Sequence, residues 1–302
     1  MVRGRSATRI VVALGLLALI AACSFTRFGY NQADTVASWM VDDYLALDAQ
    51  QKQDFNKRFG RVYAWHRSEQ LPEYSTFMRN ARGRVERGLA REDVLWFVDG
   101  MRTRVRTGLR QAGPEAAGLL ATVTPAQIET LKAKWDKDNK KYVKEHKVNG
   151  TPEERQEVEA RRVIKTFKEW LTPLNSEQEQ RVTAMVRELP PIYEFRYAER
   201  LRRQKEFLEL LARRGDDRER FTARVTEWMV NFDRGRNAED QKRLSAWWTK
   251  RADIFVALEK TLTPEQRTAT LQRMKTYADD FTQLARRGET SSGAAGDHTA
   301  AR

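Results

Sequence analysis

The sequence is poor in the residues from which metal and redox sites are built. It has one cysteine, Cys23, and three histidines, His66, His146 and His298, among 302 residues. The histidines are far apart in the chain, and their spacing is not that of a metal site. A single cysteine also excludes a disulfide within the chain. We therefore predict that the protein holds no metal and no cofactor.

The sequence patterns of familiar enzyme classes are also missing. There is no G-x-S-x-G elbow, no P-loop, no H-E-x-x-H and no dinucleotide-binding fingerprint. Adjacent carboxylates occur at 42–43, 216–217 and 279–280. Neighbours on a helix point about 100° apart, so such pairs are poorly placed for acid–base catalysis. We predict that the chain is not an enzyme.

Long hydrophobic runs are absent except for residues 10–20, which follow Arg3, Arg5 and Arg9. This run is shorter than the roughly 20 residues of a membrane-spanning helix, and it has the length of a signal-peptide core. Ala21-Ala22-Cys23 follows directly and resembles a bacterial lipobox. The resemblance implies cleavage before Cys23, diacylation of its thiol and acylation of the new amino end with fatty acids such as palmitate. The alternative is an ordinary signal followed by a core cysteine.

Acylation at Cys23 would anchor the protein stably, because two or more acyl chains hold a protein on a bilayer whereas one does so only marginally. At the position after the cysteine, Asp would favour retention in the inner membrane, and this chain has Ser24 there. By resemblance to lipoprotein sorting rules, we predict a protein of the cell envelope, anchored to the outer membrane and facing the periplasm.

The charge is strongly basic. The formal net charge is +13, and it becomes +10 without residues 1–22, which hold three basic and no acidic residues. A basic surface is typical of nucleic-acid binding, but export argues against that partner. Anionic lipid, acidic wall polymers and acidic envelope proteins remain, and the alternative is that the charge only keeps the protein soluble.

The hydrophobic pattern predicts an all-α protein. Phe55, Phe59, Val62 and His66 are separated by four, three and four residues, which places them on one helix face, and no segment alternates as a strand does. We predict an elongated multi-helix bundle with helix breaks at Leu71-Pro72 and Gly113-Pro114. The predicted organisation is a signal peptide (1–22), a lipidated tether (23–32), two helical units (33–148 and 149–288) and a disordered tail (289–302).

Four predicted helix starts share one pattern, an apolar residue, a capping side chain, two further residues and a glutamine. In each, the cap accepts from the backbone N–H of the glutamine, whose side chain accepts from the backbone N–H of the cap. The cap and glutamine pairs are Asp48 and Gln51, Thr124 and Gln127, Asn175 and Gln178, and Thr263 and Gln266. Their spacing suggests two duplicated helical units. The alternative is that a helical protein simply reuses a good helix start.

One of these starts, Leu262-Thr263-Pro264-Glu265-Gln266, matches the LTxxQ motif of the Spy and CpxP type periplasmic chaperones letter for letter. The other three replace Leu or Thr. Those chaperones resemble small helical cradles whose basic, partly apolar face holds unfolded clients. This resemblance implies a chaperone-like holdase as an alternative function.

A second resemblance is carried by several short motifs between residues 23 and 74. They are Cys23-Ser24, Tyr30-Asn31-Gln32-Ala33-Asp34, Trp39, Asp42-Asp43-Tyr44-Leu45, Leu47-Asp48, Gln51, Trp65-His66-Arg67 and Leu71-Pro72-Glu73-Tyr74. Together they resemble a family of proteobacterial lipoproteins of unknown function. The resemblance implies an all-helical envelope lipoprotein and no activity.

One polar group stands out. Asp43 lies four residues after Trp39 and four before Leu47, on a side of its helix that also carries Val36 and Met40. A buried carboxylate needs a partner, and the next helix ends in Trp65-His66-Arg67. One hypothesis is a structural ion pair of Asp43 with His66 and Arg67, which would lock the first two helices. The other is that Asp43 faces water.

The sequence therefore supports three functions in decreasing order. The first is a non-enzymatic envelope lipoprotein, a membrane-anchored scaffold or binding module whose partner the sequence does not name. The second is a holdase for unfolded clients, and the third is an enzyme acting on cell wall or lipid.

Overall fold

The computed structural model describes residues 26–170, 173–215 and 217–296, with side chains up to residue 286. Within them the chain forms eleven α-helices and no strand, which confirms the all-α class. The helices are α1 Ala33–Leu45, α2 Ala49–Trp65, α3 Leu71–Glu86, α4 Arg91–Leu120, α5 Pro125–Glu145, α6 Pro152–Trp170, α7 Ser176–Val186, α8 Tyr193–Ala212, α9 Arg218–Val230, α10 Ala238–Glu259 and α11 Pro264–Gly296.

The predicted break at Leu71-Pro72 does not separate two helices. A π-helical turn, His66–Gln70, joins α2 to α3, and the residues on both sides keep right-handed helical backbone. Pro72 follows this π turn directly, as the second residue of α3. The wider π turn thus lets the chain pass a proline without leaving the helix.

The predicted break at Gly113-Pro114 is also absent, because α4 continues through Pro114 to Leu120. Gly113 is buried against α9, and a Cβ atom there would lie 2.3 Å from Oγ1 of Thr226. The glycine is therefore required for the close approach of α9 to α4, and it does not end a helix.

Four clusters of buried apolar side chains hold the helices together. One joins the α1–α2 loop and the end of α4 to α8 and α9, with Leu47, Leu120, Leu211 and Phe221 among its members. A second lies between α6, α7 and α10. Two more pack α3 against α11. Three of the four clusters combine side chains from both predicted units, 33–148 and 149–288, and the duplication itself stays a prediction.

The two ends of the chain differ from the expected tether and tail. Residues 26–31, predicted as part of a tether, form a helical turn. Arg27 ties this turn to α11 through Asp280, at 3.1 Å, and Gln283, at 2.6 Å. At the other end α11 continues to Gly296, into the segment predicted as a disordered tail. The signal peptide, Cys23 and residues 297–302 lie outside the described residues.

Candidate functional site

All four predicted capping boxes are present, each with both of its hydrogen bonds. The cap side chains accept from the backbone N–H of the glutamines at 2.8 to 3.3 Å. The glutamine Oε1 atoms accept from the backbone N–H of the caps at 2.9 to 3.1 Å. The sequence pattern therefore encodes these helix starts locally, as expected for a capping box.

The structure brings the first two boxes together through their glutamines, which are both buried. The Nε2 of Gln51 donates to Oε1 of Gln127 at 3.1 Å, and the Nε2 of Gln127 donates to Oε1 of Gln51 at 2.6 Å. The Nε2 of Gln51 also donates to the backbone carbonyl of Thr122, and the Nε2 of Gln127 donates to that of Ala46. Each of these carbonyls lies two residues before the cap of the other box.

The last two boxes repeat this arrangement. The Nε2 of Gln178 donates to Oε1 of Gln266 at 2.8 Å, and the reverse bond measures 3.0 Å. The Nε2 of Gln178 also donates to the carbonyl of Thr261, and the Nε2 of Gln266 donates to that of Pro173. Each of these carbonyls again lies two residues before the cap of the other box. The spacing of the boxes does not predict this pairing, although the fourfold repeat of glutamine at one position is a signal for it. Each reciprocal pair of glutamines thus joins two helix starts, in addition to completing the two capping boxes, and we call such a pair a joint.

The predicted ion pair of Asp43 with His66 and Arg67 is not formed, so its proposed partners are wrong. Asp43 is exposed and pairs instead with Lys134 of α5, with 2.6 Å between Oδ2 and Nζ. The reason is that α1 packs against α5 as well as α2, and Asp43 lies on the α5 side. Neighbouring Tyr44 makes the same connection by donating to Asp138 at 2.7 Å.

His66 and Arg67 instead belong to a group of tyrosines at the α2–α3 junction. His66 lies between the hydroxyls of Tyr30, 2.9 Å from Nδ1, and Tyr74, 3.3 Å from Nε2. Burial lowers the pKa of His66 and raises the pKa values of both tyrosines. The imidazole is therefore neutral near pH 7 and forms a structural hydrogen-bonded link.

Arg67 stacks over the rings of Tyr30 and Tyr63, with Cζ 5.5 and 5.0 Å from their centroids. It donates to Oδ1 of Asn31 at 2.8 Å and to the hydroxyl of Tyr63 at 2.9 Å. The contacts of Arg67 with Tyr30 and Asn31 thus fix the N-terminal helical turn to the α2–α3 junction.

A buried ion pair lies where α6, α8 and α10 meet. Glu159 accepts from Arg251 at 2.6 Å and from the Tyr193 hydroxyl at 2.5 Å. Burial lowers the pKa of Arg251, and burial together with the nearby carboxylate raises the pKa of Tyr193. Both oxygens of Glu159 are occupied, so the group is arranged to join three helices.

A cavity of about 370 Å³ lies between α3, α4, α6, α10 and α11. Its wall is mainly aromatic and aliphatic. Six aromatic side chains contribute to it: Trp96, Phe97, Phe167, Trp170, Trp248 and Phe255. A volume of this order lies in the range of small-molecule sites, about 300–1,000 Å³. Well-packed interiors contain few voids larger than a water molecule, so the cavity is a candidate binding site.

The charged side chains on the cavity wall are held by ion pairs. Arg84 pairs with Asp93 at 2.5 Å and stacks over Trp96, 4.1 Å from the ring centroid. Burial opposes ionisation of Asp93, but hydrogen bonds from Arg84 and the Ala90 N–H outweigh it and lower the pKa of Asp93. Arg251 pairs with Glu159, and Glu259 with Arg267. Among the described residues the wall contains no His, Cys, Ser or Tyr. Its two hydroxyl groups, those of Thr166 and Thr270, donate to the backbone carbonyls of Arg162 and Gln266.

The described residues contain neither a metal-binding cluster nor a membrane-spanning helix. No group of His, Cys, Asp and Glu side chains is placed to bind a metal ion. No described helix combines the length and apolar character needed to cross a membrane.

The fold and the site together define an all-α, multi-helix protein with an aromatic-lined cavity. The chain belongs to a family of unknown function (DUF6279), whose model matches residues 43–240. This confirms the expectation of a family of unknown function, and the match does not show the individual motifs. No curated protein and no solved structure matches the chain.

Proposed function

We propose that the protein is a non-enzymatic lipoprotein of the cell envelope, anchored through Cys23 on the outer membrane, that binds an apolar ligand in the aromatic cavity. The cavity is the observation that carries this proposal. Its volume is about 370 Å³, and its wall is aromatic and aliphatic, which is the usual composition of sites that enclose hydrophobic molecules.

The electrostatics of the wall favour an uncharged buried group. Arg84 and Arg251 already pair with carboxylates at 2.5 and 2.6 Å. A charged ligand group would have to break one of these pairs and leave the displaced carboxylate without its partner, which is costly in a buried site. We therefore expect hydrocarbon or aromatic groups in the cavity, with any charged end of the ligand in solvent.

The absence of poised groups on the wall supports a binding role. General acid–base catalysis needs a titratable group within hydrogen-bond reach of the reacting atoms and with a pKa near the working pH. Asp93 is held ionised by Arg84 and the Ala90 N–H, and Glu259 is held by Arg267. Both therefore serve as ion-pair partners.

A holdase for unfolded clients is the second candidate, and one observation favours it. Leu262, the first residue of the segment that matches the LTxxQ motif, lines the cavity. The cavity would then accept apolar side chains of a client in place of a small molecule. Suppression of the aggregation of an unfolded client by the purified protein would support this function, and no suppression at equimolar ratio would contradict it.

The binding site is tested with matched substitutions on α4. Val94 lines the cavity, whereas Val105 on the same helix is exposed. We expect Val94→Trp to fill the cavity and to reduce binding of the neutral apolar fluorophore N-phenyl-1-naphthylamine several-fold. Val105→Trp, the control, should bind the probe as the wild type does. Equal binding by both variants would show that the probe does not enter the cavity.

The anchor is tested by Cys23→Ser. We expect the wild-type protein to fractionate with membranes and its mature N-terminus to carry the mass of three acyl chains. The variant should lose both properties. An intact leader or an unacylated N-terminus on the wild-type protein would contradict the anchor.

A further inference from the structure

Helix α1 and the turn before it expose a stripe of large apolar side chains. Phe28, Val36, Trp39 and Met40 are 63, 51, 68 and 52% exposed. Val36, Trp39 and Met40 are three and four residues apart, so they share one helix face. The opposite side of α1 packs on the protein through Val41, Tyr44 and Leu45. Contiguous exposed apolar surface of this kind marks a binding face.

The stripe begins close to the proposed anchor. Thr26 lies three positions after Cys23, and three positions span at most about 11 Å in any conformation. The turn at 26–31 is fixed to the body by Arg27 with Asp280, by the hydroxyl of Tyr63 donating to the Tyr30 carbonyl at 3.0 Å, and by Arg67 donating to Asn31 at 2.8 Å. An acylated Cys23 would therefore hold a rigidly attached α1 near the bilayer surface.

Helix α5, which carries several lysines, packs along α1. The C-terminal end of α1 contacts the start of α5, since Gln127 donates to the carbonyl of Ala46, and Asp43 pairs with Lys134. The two helices therefore run in opposite directions. Lys137 and Lys141, both exposed, lie one and two turns further along α5, toward the level of Met40 and Val36.

From this juxtaposition we infer that α1 lies in the membrane interface, with Phe28, Val36, Trp39 and Met40 in the acyl boundary and the α5 lysines at anionic head groups. The inference rests on the proposed Cys23 anchor. Interfacial helices combine an apolar face containing Trp or Phe with flanking lysines and bury that face about 5–10 Å deep. Trp39 is the side chain expected at the head-group level. The anchor and the stripe together would fix one orientation of the protein on the membrane.

The test uses the full lipidated protein in vesicles that contain phosphatidylglycerol and phosphatidylethanolamine. An introduced cysteine is the only free thiol, because Cys23 is acylated. Met40→Cys and Val36→Cys carry an environment-sensitive fluorophore on the stripe. Met101→Cys is the matched control, since Met101 is 43% exposed on α4. Quenching is measured with nitroxide-labelled lipid and, separately, with aqueous iodide.

We expect nitroxide lipid to quench the probes at 40 and 36 several-fold more than the probe at 101, and iodide to show the reverse order. Equal quenching at all three positions, in protein that floats with the vesicles, would overturn the inference and leave the anchor intact. Shielding from iodide without nitroxide quenching would assign the stripe to a second copy of the chain and also overturn it. Protein that is unacylated and does not float would overturn the anchor, and this inference with it.

Discussion

Replacing Gln178 by methionine keeps the length of the side chain but removes its amide from the centre of the α7–α11 joint. Gln178 is 2% exposed and makes four hydrogen bonds with its amide. A hydrogen bond contributes about 0.5–1.5 kcal/mol net, and buried partners left unpaired cost more. The expected loss in the free energy of unfolding is therefore about 4 kcal/mol.

The substitution leaves the cap itself intact, since Asn175 still accepts from the backbone N–H of residue 178. If the glutamine only completed a capping box, the loss would be about 1 kcal/mol. Urea unfolding followed by circular dichroism distinguishes the two values. Gln272→Met, at an exposed position of α11, is the control and should change stability by less than about 0.5 kcal/mol.

A double-mutant cycle with Gln266→Met tests the reciprocal pair directly. Because each glutamine donates to the other, the double variant should lose less than the sum of the single losses, with a coupling energy of about 1–3 kcal/mol. A loss near 1 kcal/mol for Gln178→Met, or additive losses in the cycle, would refute the joint and leave two independent caps.

Three further predictions concern the charged groups. Arg251→Met should cost about 3–5 kcal/mol in urea unfolding, because it leaves the buried Glu159 without its 2.6 Å partner; a loss below about 1 kcal/mol would contradict this. Burial, and then the nearby Arg162, lower the pKa of His146 to about 4, so its stabilising contribution should be complete above its ordinary pKa of about 6.5 and decline as the pH falls toward 4. The wild type should therefore lose more stability between pH 7 and pH 5 than His146→Gln does, and equal losses would contradict the assignment. Asp43→Asn should cost less than about 1 kcal/mol, because Asp43 is exposed and exposed ion pairs contribute little. Arg67→Met should cost more, because stacking and two hydrogen bonds are lost. A double-mutant cycle of these two substitutions should show no coupling energy.

The sequence by itself determined what depends on neighbours along the chain. Periodic apolar positions predicted the all-α class, because a helix face repeats every three to four residues. The four capping boxes followed from spacings of three residues, since a cap and its glutamine contact each other within one turn. The proposed leader before Cys23 likewise rests on a local pattern, a short apolar run next to small residues.

The tertiary structure decided what depends on residues far apart in the chain. Gln51 meets Gln127 across 76 positions and Gln178 meets Gln266 across 88, so a pairing of boxes could be suspected from their repetition but not assigned. The cavity combines residues from 78 to 274, and no single helix carries a signal for it. The partner of Asp43 and the exposed face of α1 depend on where α5 packs, because helix periodicity identifies an apolar stripe and only packing determines whether that stripe is covered.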